Sequence, residues 1–131
     1  MQNVQRIVLV DFGAQYTQLI ARRVREQNVY CEVKPCSISP DEIRELAPIG
    51  IILSGGPQSV YESVSLHVDP ALFSLGIPVL GICYGCQLMA YSLGGTVAAA
   101  TEATAREYGK TLTEFDTDCS IFQGLPASSV T

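Results

Sequence analysis

The sequence has no tryptophan, one histidine and only 8 lysines and arginines in 131 residues. Its 13 acidic residues give a formal net charge of -5, which argues against the basic surface that nucleic acids and anionic membranes require. No apolar run approaches the roughly 18 residues of a membrane span, and the apolar run near the N-terminus is too short for a signal peptide. We therefore expect a cytoplasmic protein without nucleic-acid or membrane partners.

Charged residues are also scarce, at 16% of the chain, whereas hydrophobic residues reach 47%. An average soluble domain has roughly 25% charged residues, so this composition favours a sheet that is buried on both faces. The five cysteines are odd in number, and without a secretory signal we expect reduced thiols rather than a disulfide framework. The length fits one domain over residues 1–131.

Short apolar runs alternate with amphipathic segments as far as Gly95. The runs IVLV, VYCEVKP, GIIL and PVLGI predict buried or alternating strands, and helices are expected over 16–28, from Ser39 onward, over 70–75 and over 85–93. This order predicts an α/β fold with a doubly wound, mostly parallel sheet. Beyond Gly95, the segments TVAAAT and EYGKTLTEF are more typical of antiparallel strands, and GLPASSVT is either a flexible tail or the beginning of a further strand.

In doubly wound sheets, ligands bind beyond the carboxyl ends of the strands. Three predicted strands end in segments that can carry chemistry: Asp11-Phe12-Gly13, Ser54-Gly55-Gly56-Pro57 and Cys83-Tyr84-Gly85. We expect these loops to converge on one edge of the sheet.

The segment Gly81-Ile82-Cys83-Tyr84-Gly85 has a nucleophile flanked by two glycines, with a strand before it and a helix after it. This pattern is typical of a nucleophile elbow, here with cysteine as the nucleophile. The glycines are needed because a side chain at either position would collide with the neighbouring strand or with the elbow backbone. The N-terminus of the following helix would favour the thiolate of Cys83.

Cys83 and Cys86 also form a Cys-x-x-Cys pair at a helix N-terminus, which is typical of redox proteins. The three or four βα units before the motif do not suit a small thioredoxin-like sheet. A metal site would need two more ligands at paired spacing, and the other cysteines and His67 do not provide them. Cys86, one turn into the helix, is expected to be a small buried apolar residue.

An elbow nucleophile also needs donors for the oxyanion of the tetrahedral intermediate. The backbone N–H of Tyr84, the residue after the nucleophile, is one candidate. The other is expected from the glycine-rich segment Ser54-Gly55-Gly56-Pro57, since glycine lets a backbone N–H approach a ligand closely.

These residues resemble the class I, or triad-type, glutamine amidotransferases, which have a flavodoxin-like fold. GICYGCQ fits the family signature Gly-x-Cys-x-Gly-x-Gln, and SGGP fits its oxyanion loop. The resemblance implies that Cys83 attacks the carboxamide of glutamine, that Gly56 and Tyr84 supply the oxyanion N–H groups, and that Gln87 and Gly55 help to bind the substrate. It implies neither a metal nor a cofactor in this domain.

The segments VDFGAQYTQLIARRVRE and ILSGGPQSVYE narrow the resemblance to one branch of the family. In that branch the glutaminase domain passes ammonia to an ATP pyrophosphatase (synthetase) domain that uses Mg-ATP, and the full-length enzyme is expected to be a homodimer. The family's catalytic His-x-Glu follows the nucleophile, but the one histidine here, His67, precedes it. We therefore expect a family domain that is incomplete at its C-terminus and inactive by itself.

Three alternatives stay open: a subunit of another class I amidotransferase, a Cys83/Cys86 thiol-disulfide oxidoreductase, and a non-catalytic docking module of the same fold. The cluster Arg22, Arg23 and Arg25 on one predicted helix has two interpretations as well. It is either a solvated surface or a contact with the synthetase domain.

Overall fold

The computed structural model describes residues 5–13, 16–55, 68–97, 112–114, 116–124 and 128–130. The chain divides into two compact units, Met1–Ala98 and Ala99–Thr131. The first unit contains the three strand-end loops expected to form the site.

The first unit alternates strands and helices, as the sequence predicts. Its elements are β1 (Arg6–Asp11), α1 (Thr17–Glu26), β2 (Tyr30–Pro35), α2 (Pro40–Leu46), β3 (Gly50–Leu53), a 3-10 helix (Pro70–Ser74), β4 (Val79–Gly81) and α3 (Tyr84–Ser92). The four strands form one sheet in the order β2-β1-β3-β4, and every neighbouring pair is parallel. The predicted parallel α/β sheet is confirmed.

The central strand β1 is buried on both faces. Val8 and Val10 belong to a core cluster with Leu88 of α3, whereas Leu9 packs on the other side with Ala21 of α1. Successive strand residues point to opposite faces, so this alternation places α1 and α3 on different sides of the sheet. The low charge of the sequence is explained by this two-sided core.

The predicted start of α2 is also confirmed. Ser39 is the N-cap, its hydroxyl oxygen accepts a hydrogen bond from the Glu42 N–H at 3.2 Å, and Pro40 is in the first turn. A proline fits there because the first helical N–H groups have no partner within the helix.

The prediction of a fourth buried strand is only partly correct. β4 pairs with β3 alone among the described strands, and its central residue Leu80 is 39% exposed. An outer strand lacks neighbours on one side, and an apolar run does not reveal whether its strand is central or outer.

Two of the three arginines on α1 have local roles. Arg25 donates two hydrogen bonds to the Cys31 carbonyl, from Nε at 3.2 Å and Nη2 at 2.7 Å, and so ties α1 to β2. Arg23 forms an exposed ion pair with Glu26. Arg22 is exposed, and its contact with another domain stays a prediction.

The second unit contains β5 (Leu112–Glu114) and β6 (Ser128–Val130), which pair antiparallel, with a 3-10 helix (Ser120–Phe122) between them. An antiparallel strand in EYGKTLTEF was expected, and β6 confirms the strand interpretation of GLPASSVT. The segment TVAAAT lies largely outside the described residues. Within the described ranges of both units, no helix is long and apolar enough to span a membrane.

The buried thiol of Cys31 gives a pH prediction. Burial raises the pKa of Cys31, with Arg25 opposing the shift and Glu32 adding to it. The folded state then holds the thiol proton more tightly than the unfolded state, whose pKa is about 8.5. This contribution to stability is full below about pH 8.5 and is lost as the pH rises toward the raised pKa, by at most about 1.4 kcal/mol per pH unit.

Urea unfolding of the native chain between pH 8 and pH 10 measures this loss. We expect a steeper fall in the free energy of unfolding for the native chain than for Cys31→Ala. Cys119→Ala, at an exposed position, is the control and should follow the native slope. If the free energy of unfolding falls equally steeply with pH for the native chain and for Cys31→Ala, the assignment of this pH dependence to the Cys31 thiol is wrong.

Candidate active site

Three loops meet at the carboxyl edge of the sheet. The register pairs Val10 with Leu53 and Leu53 with Gly81, so β1, β3 and β4 end at the same level. The ring of Phe12, after β1, lies 5.3 Å from the ring of Tyr84, after β4. The Gly85 N–H donates to the Ser54 carbonyl at 3.1 Å, so the loop after β3 also reaches the elbow. The predicted convergence is therefore confirmed for the described residues of the three loops.

Cys83 occupies the turn between β4 and α3 in a strained conformation. It is the N-cap of α3, with φ 54° and ψ -118°, and its side chain is exposed. A non-glycine residue with positive φ is uncommon, and such strain persists where the surrounding structure fixes it, often at functional sites. Strand, strained cysteine and helix together form the predicted nucleophile elbow.

The two elbow glycines have the predicted steric role. A Cβ on Gly85 would lie 2.6 Å from the Leu53 carbonyl carbon and 2.7 Å from the Leu53 Cβ. A Cβ on Gly81 would lie 2.8 Å from the Cys86 backbone nitrogen and 2.8 Å from the Met89 sulfur. The elbow therefore excludes every larger residue at both positions unless the backbone shifts.

Hydrogen bonds hold the elbow against β3. The Ile82 N–H donates to the Leu53 carbonyl at 2.9 Å, and the Gly85 N–H donates to the Ser54 carbonyl at 3.1 Å. The Cys83 carbonyl accepts from Cys86 at 3.0 Å, which starts the helix. The backbone of the nucleophile is thus fixed while its thiol remains open to solvent.

Of the two candidate oxyanion donors, Tyr84 lies in the described part of the chain and Gly56 does not. Tyr84 is the first residue of α3 and is 3% exposed, with its ring packed against Phe12. Its N–H lies at the positive end of the helix, where negative charge is stabilised. Gly55 follows β3 and is half-buried, whereas Gly56 and His67 lie outside the described residues. The assignment of Gly56 as a donor stays a prediction.

Gln87 lies one turn into α3 and is partly buried. Its side-chain Oε1 is buried and has no hydrogen-bond partner among the described residues. A buried acceptor without a donor is costly, so this oxygen is available to a donor outside the described residues.

The expectation that Cys86 is buried is wrong, because the structure exposes it. α3 buries Tyr84 and Leu88, and Cys86 is two residues from each, about 200° around the helix. Cys83 and Cys86 are therefore both accessible, whereas Cys31 is buried. In the described part of the chain, no three His, Cys, Asp or Glu side chains are grouped so that they could hold a metal ion.

A buried polar cluster beneath these loops was not predicted. Thr17, 2% exposed, donates its hydroxyl to Asp11 Oδ1 at 3.0 Å and lies 3.4 Å from the hydroxyl of Ser54. Ser54 is fully buried and donates to the Val10 carbonyl at 2.9 Å. The sequence does show two polar residues, Asp11 and Ser54, at the ends of apolar strands. Their proximity to Thr17 depends on the fold and could not be predicted from the sequence.

Comparison with known proteins identifies the family. The family model "Glutamine amidotransferase class-I" matches residues 8–131. The chain belongs to the class-I glutamine amidotransferases. The resemblance carried by the elbow and by the glycine-rich segment is therefore confirmed.

The chain is 50% identical over 125 residues to the GMP synthase (glutamine-hydrolysing) of Maridesulfovibrio salexigens, in a match that covers 95% of this chain. It is 53% identical over 127 residues to that of Streptococcus pneumoniae, in a match that covers 96%. The chain spans 24% of the length of each. These relatives are GMP synthases and belong to the branch of the family that the segments VDFGAQYTQLIARRVRE and ILSGGPQSVYE indicated.

A solved structure supports the fold of this amidotransferase. A crystal structure from Thermoplasma acidophilum, assigned as one subunit of a GMP synthase, superposes with a TM-score of 0.80 at 29% sequence identity. The match covers 99% of this chain and 64% of that one. The predicted class I amidotransferase fold is therefore confirmed.

Proposed function

We propose that this chain is the glutaminase part of a GMP synthase and binds glutamine at the elbow. One observation carries the proposal: an exposed cysteine in a strained turn between a strand and a helix, at the edge where three loops meet. The similarity to two GMP synthases over nearly the whole chain supports the choice of branch.

In the proposed reaction the Cys83 thiolate attacks the carboxamide carbon of glutamine. A sulfur–carbon bond forms and the carbonyl oxygen becomes an oxyanion, which the N–H groups of Gly56 and Tyr84 would stabilise. The carbon–nitrogen bond then breaks as the nitrogen takes up the proton that the thiol gave up, and ammonia leaves a glutamyl thioester. Water hydrolyses the thioester to glutamate and restores the Cys83 thiol. Gln87, whose buried Oε1 has no hydrogen-bond partner among the described residues, and Gly55 would orient the substrate.

The rest of the activity requires a second domain. Ammonia would pass to an ATP pyrophosphatase (synthetase) domain, which uses Mg-ATP to adenylate xanthosine monophosphate and releases GMP after amination. This chain would itself hold no cofactor, and the assembled enzyme would be a cytoplasmic, homodimeric ligase. The curated GMP synthases are long enough for further domains, since the chain spans 24% of their length.

The exposure of Cys86 favours a second candidate, a thiol-disulfide oxidoreductase. Both thiols of the Cys-x-x-Cys are accessible at the N-terminus of one helix, an arrangement that can support disulfide exchange. Against this candidate, the strained conformation of Cys83 and the two restricted glycines are features that a redox pair does not need. Insulin-disulfide reduction that requires both thiols would favour the redox function.

Covalent labelling distinguishes the two functions. A glutamine-derived diazo-ketone is expected to modify Cys83 in preference to Cys86, Cys31, Cys36 and Cys119. The glutamine-like part of this reagent would bind beside Cys83, and the Cys83 thiol is exposed to solvent. The sulfur–carbon bond forms, nitrogen gas leaves, and the thiol proton ends on the former diazo carbon. Peptide mapping of the adduct measures the selectivity.

Cys86→Ala is the matched control, since Cys86 is a second exposed thiol on the same helix. It should leave the labelling of Cys83 unchanged, and free glutamine should slow that labelling. Equal modification of Cys83 and Cys86, without protection by glutamine, would contradict the glutaminase function and favour the redox pair.

A further inference from the structure

The strained conformation of Cys83 places its side chain beside the backbone N–H of Tyr84. At ψ -118°, the Cβ of Cys83 lies nearly in eclipse with the Tyr84 nitrogen, because the substituents of a tetrahedral Cα are evenly spaced around the Cα–C bond. The Cys83 carbonyl accepts hydrogen bonds from Cys86 at 3.0 Å and Gln87 at 3.2 Å, so it points along α3. In a trans peptide the next N–H points the opposite way, so the Tyr84 N–H is directed out of the N-terminus of α3, on the side of the thiol.

The side chain of Tyr84 is held in the core. Tyr84 is 3% exposed, and its ring lies 5.3 Å from the ring of Phe12 with an angle of 57° between the two planes. Aromatic pairs prefer such tilted or offset arrangements, at centroid distances of about 4.5–7 Å. The side chain and the N–H of one residue are joined through the same backbone. A ring that cannot move therefore restricts the direction of the Tyr84 N–H.

Phe12 is itself fixed by the turn that carries it. Asp11 Oδ1 accepts the Gly13 N–H at 2.8 Å and the Thr17 hydroxyl at 3.0 Å, so one carboxylate spans Phe12 and reaches the start of α1. Gly13 has φ 87°, a conformation that favours glycine. Phe12 is 1% exposed, and close packing in the core leaves its ring few other positions.

The aromatic pair also connects the elbow with a second strand. The hydrogen bonds of Ile82 and Gly85 attach the elbow to Leu53 and Ser54, at the end of β3. Phe12 follows β1, which lies on the other side of β3 from β4. The contact between the rings therefore joins the first residue of α3 to the loop after β1, and it limits the rotation of α3 about its attachment to β3.

We propose that Phe12 is a positioning residue: its ring, packed on the ring of Tyr84, holds the Tyr84 N–H beside the Cys83 thiol. This inference rests on the proposed glutaminase function, in which that N–H stabilises the oxyanion. Phe12 does not contact the reacting atoms in it. The ring keeps one oxyanion donor aligned with the nucleophile.

Two variants remove the ring contact from opposite sides. Phe12→Leu and Tyr84→Leu each delete one ring and keep an apolar side chain, and Tyr84→Leu retains the backbone N–H. The double variant tests whether the two residues act through the same contact. Phe73→Leu is the matched control, since Phe73 of the 3-10 helix packs against the same core cluster. Urea unfolding shows whether each variant is folded under the labelling conditions, and Phe12→Met replaces Phe12→Leu if the latter is unfolded.

The test compares two reagents at Cys83. The glutamine-derived diazo-ketone would place a ketone oxygen where the oxyanion donors act, whereas an aromatic disulfide reports only the accessibility and reactivity of the thiol. The measured quantity is the ratio of the diazo-ketone rate to the disulfide rate at Cys83, obtained by peptide mapping. Loss of a whole oxyanion donor costs about 10²–10³ in rate, so we expect a misdirected donor in Phe12→Leu to lower the ratio by about tenfold.

The proposal is supported if Phe12→Leu lowers the ratio while the disulfide rate stays at the native value, and if the same substitution has no further effect in Tyr84→Leu. It is overturned if the ratio does not change, if Phe73→Leu lowers it equally, or if both rates fall together, which is the behaviour of a merely structural role. An equal effect of Phe12→Leu with and without the Tyr84 ring also overturns it.

The native chain separates this inference from the proposed function. If glutamine protects Cys83 of the native chain from the diazo-ketone and the ratio is unchanged in Phe12→Leu, only the positioning role is overturned. A native chain that shows no glutamine-protected labelling of Cys83 overturns the proposed glutaminase function, and this inference falls with it.

Discussion

Gly85→Ala is expected to destroy the elbow and to be the most damaging single-methyl change in the described part of the first unit. The added Cβ would lie 2.6 Å from the carbonyl carbon of Leu53, well inside contact distance. The obstacle is strand backbone, which cannot rotate away as a flexible side chain does. α3 must therefore move off β3, and the Gly85–Ser54 hydrogen bond of 3.1 Å must lengthen or break.

We expect a loss of about 3 kcal/mol or more in the free energy of unfolding, at the upper end of overpacking effects because backbone is displaced. The diazo-ketone labelling of Cys83 that glutamine protects should fall to the background signal that the same assay gives with Cys83→Ala. Urea unfolding and peptide mapping measure the two effects separately.

Gly76→Ala is the matched control. Gly76 has φ 76° and no atom within 4 Å of its added Cβ, so alanine there is strained but not crowded. It should cost about 1 kcal/mol through its backbone conformation and leave the labelling of Cys83 intact. Native stability and native labelling in Gly85→Ala would show that the elbow is looser than the geometry indicates.

The elbow could be predicted from the sequence because its tight turn requires glycine two residues before and two residues after the nucleophile. Gly81 and Gly85 flank Cys83 at the two positions where a Cβ would meet backbone or Met89. The order of strands and helices could likewise be predicted, since short apolar runs alternate with amphipathic segments. Those patterns are local, and they determine which elements form.

What the sequence did not reveal depends on how the elements pack. An apolar run does not distinguish a central strand from an outer one, so the 39% exposure of Leu80 was unforeseen. Cys86 is apolar enough to be buried, but the buried face of α3 is set by Tyr84 and Leu88. The contact between Thr17 and Ser54 joins residues 37 positions apart, and it depends on the parallel register of β1 and β3 and on the position of α1 after β1.

The second large effect concerns catalysis by the 131-residue chain alone. We expect no measurable release of ammonia from glutamine. A cysteine nucleophile of this type needs a histidine to take up its proton and to protonate the leaving ammonia. The one histidine of this sequence is His67, which precedes the nucleophile, whereas the resemblance to the family implies a catalytic histidine after it.

The elbow and the oxyanion donors would still stabilise a tetrahedral intermediate. In serine proteases such remnants leave roughly 10³–10⁴-fold catalysis over water when a member of the triad is removed. Amide hydrolysis in neutral water is so slow that this residual rate would be lost in an ordinary assay. The chain should therefore be able to bind glutamine weakly and react with the diazo-ketone, yet not turn over.

The purified chain, assayed for ammonia release with Cys83→Ala as the blank, tests this directly. Diazo-ketone labelling on the same preparation establishes that the elbow is folded. An absence of ammonia release then cannot be caused by an unfolded elbow. Adding His67→Ala identifies the source of any activity. Turnover above the blank that disappears in His67→Ala would show that His67 serves as the base, within one chain or between two copies, and that the site needs no later histidine.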